Sequence, residues 1–387
     1  MKPKARTQCP GCGGLTLLPI LRLPRQPAVL NYRFATPAEA RRVPRRDVTL
    51  VSCPACGLVF NSTFDAEAVP YDSRYENRQC FSPAFNDHLA ALAEGLIERN
   101  RLQGGRILEI GCGKGDFLRR ICRVAKAKGD GYDTSFEPSN EPEPRGVQFF
   151  ARYAGPEDIR KPYQAILCRH VVEHVPEIGD FLKLMHGLAA AAGDPIVVIE
   201  TPRLEWILEN ACLWDVFHEH CNYFLEGALA GLCRRAGFRV VRQRPVFGSQ
   251  YQLLELRLAR ASRRPVKTSL PTTARVRSQA LRALRQLERL DQRIAKAAAG
   301  KPWAVWGAGA KGVALVNQLP KSRPRCVIDS NPAKQGGVLP GTGVRIVAPG
   351  DPMVPKLGLI VIANPNYATE IGADLQRVGF AGRLLTL

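Results

Sequence analysis

A strand, a glycine turn and a helix follow one another in residues 105–118, and this unit constrains the fold of the 387-residue chain more than any other stretch. Residues 105–110 are apolar enough for a short buried strand, and the apolar spacing after residue 115 predicts a helix. Three glycines separate the two elements: Gly111, Gly113 and Gly115. Such a unit brings backbone N–H groups up against a bound ligand. With Glu109 ahead of the turn, the Gly-x-Gly-x-Gly spacing favours a ligand that contains a nucleoside over a free phosphate.

The chain beyond this turn alternates between predicted strands and helices, which indicates an α/β fold with a doubly wound sheet. Asp133 ends the second predicted strand, where an acidic residue can accept hydrogen bonds from both hydroxyls of a ribose. Asp158 follows the third strand, in a loop suited to an adenine ring. A helix is predicted at 83–101. The later strands are predicted at 147–150, 164–168 and 194–199, with a terminal hairpin at 238–247 and 251–258.

Two Cys-x-x-Cys pairs, Cys9 with Cys12 and Cys53 with Cys56, are each followed by glycine. Each pair directs two thiolates at one point, and two pairs complete a tetrahedral four-sulfur zinc site, which is closed to water and therefore structural. A redox role for one pair is the alternative, but a thioredoxin-type pair needs no second pair and normally opens a helix. We therefore expect one structural Zn²⁺ per chain.

The N-terminus is basic but has no apolar segment behind it, so no secretion signal is expected. No run of about 18 apolar residues is present, so no transmembrane helix is expected. The remaining cysteines of the twelve are scattered, which favours reduced thiols over disulfides. These features together predict a cytoplasmic protein.

The formal net charge of +20 results from 55 Lys and Arg against 35 Asp and Glu. A charge of this size is one signature of nucleic-acid binding. Because the arginines are spread through predicted helices and loops, we expect no nucleic-acid partner. The same positive field also favours an anionic small-molecule substrate.

Two histidine-containing stretches carry titratable groups. His218-Glu219-His220 is the most polar part of an otherwise apolar region. One interpretation is structural: these polar side chains are hydrogen-bonded within the protein and have no catalytic role. The other is a general base, since imidazole titrates near neutrality and an adjacent carboxylate can hold its tautomer. His170-Val-Val-Glu-His174 has the His-x-x-Glu-His spacing that can bind zinc on a helix, and we give this metal hypothesis less weight.

Residues 276–298 predict an amphipathic helix that links two domains, with arginines on its polar face. Its predicted apolar face comprises Leu281, Leu284, Leu287, Leu290 and Ile294. A basic RNA-binding helix is the weaker alternative for this segment.

Residues 307–312, Gly-Ala-Gly-Ala-Lys-Gly, again follow a predicted strand and open a helix, and Asp329 lies 22 residues beyond the first glycine. This arrangement matches the dinucleotide fingerprint. Only about 85 residues remain, however, which is half of a full dinucleotide fold. We therefore favour binding of a substrate pyrophosphate at the helix N-terminus, or packing alone, over NAD. Asn364 ends the last clear strand and faces the same edge.

Taken in order, these parts resemble the sugar C-methyltransferase family over nearly the whole chain. Residues 80–260 resemble a class I S-adenosylmethionine-dependent methyltransferase. The match is carried by the four-cysteine module with Cys-Gly-Leu-Val-Phe60, by Glu219-His220 before a Tyr-Phe pair, and by the second glycine turn with Asp329.

The resemblance implies an architecture of an N-terminal zinc-binding module, a Rossmann-like methyltransferase core, a linker helix and a smaller Rossmann-like substrate-binding domain. The corresponding ranges are 1–68, 69–262, 263–299 and 300–387. The implied cofactor is S-adenosylmethionine.

The resemblance also implies residue roles. The methionine end of the cofactor would lie against Glu109 and the first glycine turn, the ribose at Asp133 and the adenine at Asp158. His170 would border the cofactor pocket, whereas His174 packs or caps. The substrate would contact Glu200, Gly307, Gly309, Lys311, Asp329 and Asn364.

In the implied chemistry, a base removes a proton from the carbon beside the ketone of a nucleotide-linked keto-deoxysugar, and the enolate carbon takes the methyl group. Such a reaction belongs to natural-product or surface-polysaccharide biosynthesis. His220 would be the base, Glu219 would position the base or the sugar, and Tyr75 or Tyr71 would donate to the developing oxyanion.

The chain departs from the family pattern at Phe217, where the sugar enzymes tend to have tyrosine, and in the spacing of Tyr71 and Tyr75. Methyl transfer to C, O or N of another natural-product or lipid-linked scaffold is therefore the first alternative. A non-catalytic binding protein and an NAD-dependent enzyme are less favoured functions.

Overall fold

The structure is a computed structural model that describes residues 5–72, 75–76, 78–138, 143–259, 270–319 and 321–387. The strands are β1 Leu18–Pro27, β2 Arg45–Ser52, β3 Val59–Asn61, β4 Arg106–Ile110, β5 Lys128–Tyr132, β6 Val147–Phe150, β7 Ala165–Arg169, β8 Ile196–Pro202, β9 Asn222–Tyr223, β10 Phe238–Val246, β11 Tyr251–Leu258, β12 Trp303–Trp306, β13 Cys326–Ile328, β14 Ile346–Val347, β15 Leu359–Ile362 and β16 Arg383–Thr386. The helices are α1 Pro37–Arg41, α2 Pro83–Asn100, α3 Asp116–Ala125, α4 Ile178–Ala191, α5 Leu204–Glu209, α6 Glu226–Arg235, α7 Thr273–Ala298, α8 Ala310–Gln318 and α9 Ala368–Arg377. Among these helices, none is long and apolar enough to span a bilayer.

The central sheet has the strand order β6-β5-β4-β7-β8-β11-β10. It is parallel from β6 to β8, and β11 runs antiparallel to both β8 and β10. The predicted strands of this domain are confirmed, each within three residues at either end. The chain leaves β4 for β5 on one side and returns to β7 on the other, so a topological switch point lies at the carboxyl end of β4. The first glycine turn occupies this point.

The cysteine-bearing module forms an antiparallel sheet of order β1-β2-β3-β9. Its last strand, β9, comes from the middle of the chain and pairs with β3 in the register Val59↔Tyr223 and Phe60↔Asn222. The backbone N–H of Asn61 also donates to the carbonyl of Cys221. The segment that follows His220 is therefore built into the N-terminal sheet.

The linker helix α7 begins after Thr272, whose hydroxyl accepts a hydrogen bond from the N–H of Arg275. The buried residues of α7 repeat every three or four positions: Val276, Ala280, Ala283, Leu287, Leu290, Asp291, Ile294 and Ala298. This stripe corrects the predicted apolar face, because Leu281 is 36% exposed and Leu284 only partly buried. Leu281 lies one residue beyond Ala280 and is therefore rotated about 100° away from the stripe. Residues 263–269 of the predicted linker lie outside the described residues.

The C-terminal sheet is parallel, with the order β14-β13-β12-β15-β16. α8 follows β12 directly through the second glycine turn. One apolar cluster joins β1, α7, the segment 204–217 and the inner face of this sheet. Because the modules share this cluster, the wall between the central and C-terminal domains has a continuous hydrophobic support.

Replacing Leu287 by alanine should lower the free energy of unfolding by about 2–5 kcal/mol, since Leu287 is 6% exposed and its loss leaves a cavity under α7. The matched control Leu281→Ala should change it by less than about 1 kcal/mol. Urea titration followed by circular dichroism measures both values, and equal destabilisation by the two variants would contradict the buried stripe.

Candidate active site

A cavity of about 260 Å³ lies between the central and C-terminal domains. One wall carries His170, Glu173, His174 and His220. The opposite wall carries Gly307, Gly309, Lys311 and Asp329. The cavity therefore connects the candidate base with the second glycine turn.

The first glycine turn leaves room for a ligand. Gly111, Gly113 and Gly115 all have positive φ angles, of 70°, 56° and 85°. A Cβ on Gly111 would lie 2.2 Å from Cγ2 of Val171, so this position requires glycine. A Cβ on Gly113 would meet no described atom within 4 Å. The turn is thus packed against Val171 at Gly111, whereas the space beside Gly113 is free for a ligand.

Asp133 lies beside the open part of this turn. Its Oδ2 accepts from the N–H of Gly113 at 2.8 Å, and its Oδ1 accepts from the N–H of Ser135 at 2.7 Å. Asp158 lies at the end of a 3-10 turn, where it accepts from Arg152 at 2.6 Å and from the N–H of Gly155 at 2.9 Å. The Arg152 guanidinium lowers the pKa of Asp158 to about 2. Asp158 therefore stays ionised, with Arg152 as its direct partner.

Glu109 lies below the first glycine turn and is 2% exposed. Its Oε2 has no hydrogen-bond partner among the residues that the structure describes. Burial raises the pKa of this carboxyl to about 8, although Arg169 opposes the shift. A buried carboxyl oxygen without a partner, next to an open glycine turn and a carboxylate at Asp133, fits a ligand with a cationic group and a ribose. S-adenosylmethionine has both.

His220 is 8% exposed and faces the cavity. Burial lowers its pKa well below the ordinary value, so the imidazole is neutral near pH 7 and can accept a proton. Its ring centroid lies 4.1 Å from that of Phe217 and 4.7 Å from that of His174. The departure at Phe217 thus places an apolar ring directly against the candidate base.

Glu219 is fully buried, and the N-terminal module holds its carboxylate. The N–H of Leu30 donates to Oε1 at 2.6 Å, and Asn31 donates from its N–H and from Nδ2 at 3.4 Å each. Burial raises the pKa of Glu219 to about 7. Within the described residues no hydrogen bond joins this carboxylate to His220, so the orienting contact expected from their adjacency is replaced by contacts to the module.

The two tyrosine hydroxyls are engaged with protein acceptors. Tyr75 donates to Oε2 of Glu219 at 3.3 Å and accepts from Nδ2 of Asn31 at 3.1 Å. Tyr71 donates to the carbonyl of Glu219 at 3.3 Å and lies 2.7 Å from Nδ1 of His174. Both hydroxyls thus have protein partners in this structure, whereas the expected role as oxyanion donors needs a free proton.

The His170–His174 segment ends in a 3-10 turn at Val172–His174, so the expected helix is a single short turn. His170 has a φ of 54°, and its ring lies 4.5 Å from that of Tyr251, edge to face. Glu173, His174 and His220 have side-chain ligand atoms within 4.8 Å of one another. That spacing suits a metal ion as well as proton transfer, whereas His170 lies at the edge of this group.

Glu200, which the sequence predicts to contact the substrate, lies outside the residues that line the cavity. Its carboxylate is fully buried and accepts from Arg169 at 2.6 Å and from His88 at 2.8 Å. Burial opposes ionisation, but Arg169 and His88 together hold the pKa of Glu200 well below its usual range. Glu200 is therefore the anion of an internal ion pair.

The second glycine turn is also open. Cβ atoms on Gly307 or Gly309 would meet no described atom within 4 Å, whereas one on Gly312 would lie 1.8 Å from the carbonyl oxygen of Gly307. Asp329 accepts from the N–H of Ala308 at 2.5 Å and from the N–H of Asn331 at 2.7 Å. The turn thus repeats the pattern of the first, with open glycines and an acidic residue from the next strand.

Several residues that line the cavity are not predicted from the sequence, among them Asn31 and Gln250. Gln250 is 1% exposed, and its Oε1 accepts from Asn364 and Asn366 at 3.0 Å each. Its Nε2 has no partner within the described parts of the chain. Both residues lie in segments that look like ordinary surface loops in the sequence, so no local signal marks them.

The four cysteines of the paired motifs form one cluster. Their sulfurs lie within 4.8 Å of one another, with 3.6 Å between Cys9 and Cys56 and between Cys12 and Cys53. Four sulfurs at about 2.3 Å from a tetrahedral ion are separated by about 3.8 Å. Burial raises the pKa of Cys53 to about 11, so a cation is needed to keep this thiol ionised. The cluster has the composition and spacing to hold one metal ion.

Comparison with known families decides the assignment. Residues 82–243 match a family described as "Methyltransferase domain", and residues 267–385 match one described as "C-methyltransferase C-terminal domain". The chain is an S-adenosylmethionine-dependent methyltransferase with a C-methyltransferase C-terminal domain. The methyltransferase is 28% identical over 310 residues to C-methyltransferase NovU of Streptomyces niveus, covering 73% of this chain and 72% of that protein.

Solved structures similar to the methyltransferase include magnesium protoporphyrin IX methyltransferase from Synechocystis PCC 6803, at 14% identity and a TM-score of 0.33, over 46% of this chain and 84% of that chain. Another is 1,6-didemethyltoxoflavin-N1-methyltransferase from Burkholderia thailandensis, at 18% identity and a TM-score of 0.33, over 46% of this chain and 82% of that chain. At these scores the likenesses add nothing to the family assignment.

Binding of S-adenosylmethionine should release a proton from Glu109. The carboxyl is protonated below its pKa of about 8. A cation placed beside it favours the ionised form and lowers that pKa, so binding at pH 7 releases up to one proton per chain. The release should shrink as the pH rises through about 8 and disappear at higher pH, where the carboxyl is already ionised before binding. Calorimetry at pH 7 in phosphate and in Tris measures the proton count. The control Glu109→Gln should show no release, and a wild-type binding heat independent of the buffer would contradict the prediction.

Proposed function

We propose that this methyltransferase adds a methyl group to the carbon beside the ketone of a nucleotide-linked keto-deoxysugar. The observation that carries the proposal is the cavity that joins His220 to the open turn at Gly307 and Gly309. A substrate that spans the cavity needs an anionic or nucleoside end for the turn and a reactive carbon for the base. A nucleotide-linked sugar has both ends in one molecule.

The nucleotide end would lie against the start of α8. The first backbone N–H groups of this helix are free of intrahelical partners and carry the positive end of its dipole, which suits a pyrophosphate. Asp329, at the end of β13, would accept from the ribose hydroxyls, as in dinucleotide sites. Asn364 belongs to the same wall of the cavity and would complete the contacts.

The base would be His220, which is neutral because of its burial. Glu219 would keep the stretch around His220 in place through its contacts to Leu30, Asn31 and Tyr75. A positioned base contributes on the order of 100- to 10,000-fold to such a proton transfer. When bound, S-adenosylmethionine supplies the electrophilic methyl group. Glu109, the first glycine turn, Asp133, Asp158 and His170 would hold it.

The apolar ring of Phe217 supports a deoxygenated acceptor. It lies 4.1 Å from the His220 ring and also faces the cavity. An apolar surface beside the base suits a CH₂ group or a methyl group, whereas a hydroxyl there would lose its hydrogen bonds. The proposal therefore favours a deoxysugar carbon next to the reacting position.

We also propose that the four-cysteine cluster holds a structural Zn²⁺ and that the protein works in the cytoplasm, where its thiols stay reduced. The cluster belongs to the same N-terminal module as Leu30 and Asn31, which donate hydrogen bonds to the carboxylate of Glu219. The metal would act on the reaction only through this support.

Changing Cys53 to serine should remove about one equivalent of zinc per chain and lower the melting temperature, since structural zinc sites contribute directly to folding. Cys80→Ser is the matched control. Cys80 lies outside the cluster, so this variant should keep its zinc. Metal analysis measures the zinc content, and thermal unfolding measures the melting temperature. Full zinc content in the Cys53 variant would contradict the assignment.

Changing His220 to asparagine should leave the affinity for S-adenosylmethionine unchanged but slow methyl transfer by at least about 100-fold. The same loss should appear in solvent deuterium exchange beside the ketone, which NMR follows without methyl transfer. His186→Asn is the matched control, since His186 packs against Phe238, away from the cavity. Exchange at the wild-type rate in the His220 variant would exclude this base.

A further inference from the structure

The proposed reaction creates negative charge on the ketone oxygen, and this charge needs a donor. Proton abstraction beside a ketone is slow unless the developing oxyanion is stabilised. Tyr75 and Tyr71 both donate to Glu219 instead. The donor must therefore come from elsewhere in the cavity wall.

Lys311 reaches across the cavity from the C-terminal domain. It lies in the first turn of α8, yet its side chain extends to the central domain, where Nζ lies 2.7 Å from Oδ2 of Asp215. Nζ also lies 4.7 Å from the ring centroid of Trp206. The side chains of Lys311 and Asp215 are 18% and 3% exposed, and both face the cavity.

The ion pair leaves part of the ammonium without a partner. Lys311 Nζ and Asp215 Oδ2 are buried, and beyond their mutual contact neither makes a hydrogen bond within the part of the chain that the structure describes. Unsatisfied N–H groups on a buried ammonium are costly, so such a group calls for a further acceptor. The ammonium has three N–H donors, of which the ion pair can engage only part. Donors of Lys311 are thus available to a ligand in the cavity.

We infer that Lys311 donates to the ketone oxygen of the acceptor and stabilises the enolate, with Asp215 as the positioning residue. The inference rests on the proposed function. His220 takes the proton from the carbon, the C–H electron pair becomes the C=C bond, and the carbonyl π pair moves to the oxygen that faces Lys311. The carbon then bonds to the methyl group of S-adenosylmethionine, the sulfur keeps the electron pair of the broken bond, and the carbonyl re-forms.

The position of Asp215 decides between a carbonyl and a phosphate as the partner of Lys311. A carboxylate 2.7 Å from the ammonium would repel a pyrophosphate at the same place, whereas a neutral carbonyl oxygen meets no such repulsion. His220 and Lys311 both line this cavity. Base and donor therefore face the same part of the cavity, and the open glycines serve the pyrophosphate.

The test uses the full-length zinc-containing protein with Lys311→Met and Lys311→Gln, and with Lys356→Met as an exposed control from the same domain. Both Lys311 variants should lower kcat for methyl transfer by about 100- to 1,000-fold, as loss of an oxyanion donor does. Deuterium exchange beside the ketone should fall in parallel. Calorimetry should show that S-adenosylmethionine and a nucleoside diphosphate bind within about twofold of wild type.

Loss of nucleoside diphosphate affinity with kcat retained at saturation would overturn the inference and make Lys311 a phosphate ligand. Wild-type kcat and exchange in a folded variant would also overturn it. If one variant fails to bind S-adenosylmethionine because it does not fold, the other carries the test. Absence of exchange in the wild-type protein with every nucleotide-linked keto-sugar tested would instead refute the proposed function.

Discussion

The pairing of β3 with β9 is the contact on which the active site depends. β3 is the last strand of the N-terminal module, and β9 begins two residues after His220, so the pairing holds the stretch 218–220 against this module. The same contact brings the backbone of Leu30 to the carboxylate of Glu219. A titratable stretch that would otherwise be a loop thereby gains the rigidity of regular structure, which a site needs to hold its geometry. The N-terminal module is a wall of the site and also carries the four-cysteine cluster.

The two glycine turns have the same local structure. In each, an acidic residue from the following strand accepts from an N–H of the turn, Asp133 at Gly113 and Asp329 at Ala308. Each turn also leaves one face open for a ligand. They differ in what surrounds them, because the first lies at the switch point of the large sheet and the second opens on the cavity that leads to His220. Equal motifs therefore lie in different surroundings.

Burial is the common cause of the unusual acid–base properties of the site. It lowers the pKa of His220 and raises those of Glu219 and Glu109, to about 7 and about 8. Burial thus disfavours the charged form of all three groups, which suits a base that must receive a proton and a pocket that must receive a cation. A charge formed in such a place has to be matched by a nearby opposite charge or dipole. The Lys311–Asp215 pair lies where that requirement arises.

The sequence by itself determined the alternation of strands and helices, both glycine turns with their acidic partners, and the paired cysteines, because each depends on neighbours within about 30 residues or on a short spacing. It also singled out His220. Only the tertiary structure decided that Glu219 faces Asn31, that the tyrosine hydroxyls are engaged, and that Glu200 is an internal ion. It likewise decided the buried stripe of α7 and the places of Gln250 and Lys311. These features depend on contacts between segments far apart in the chain, and no local pattern specifies which distant surface a side chain will meet.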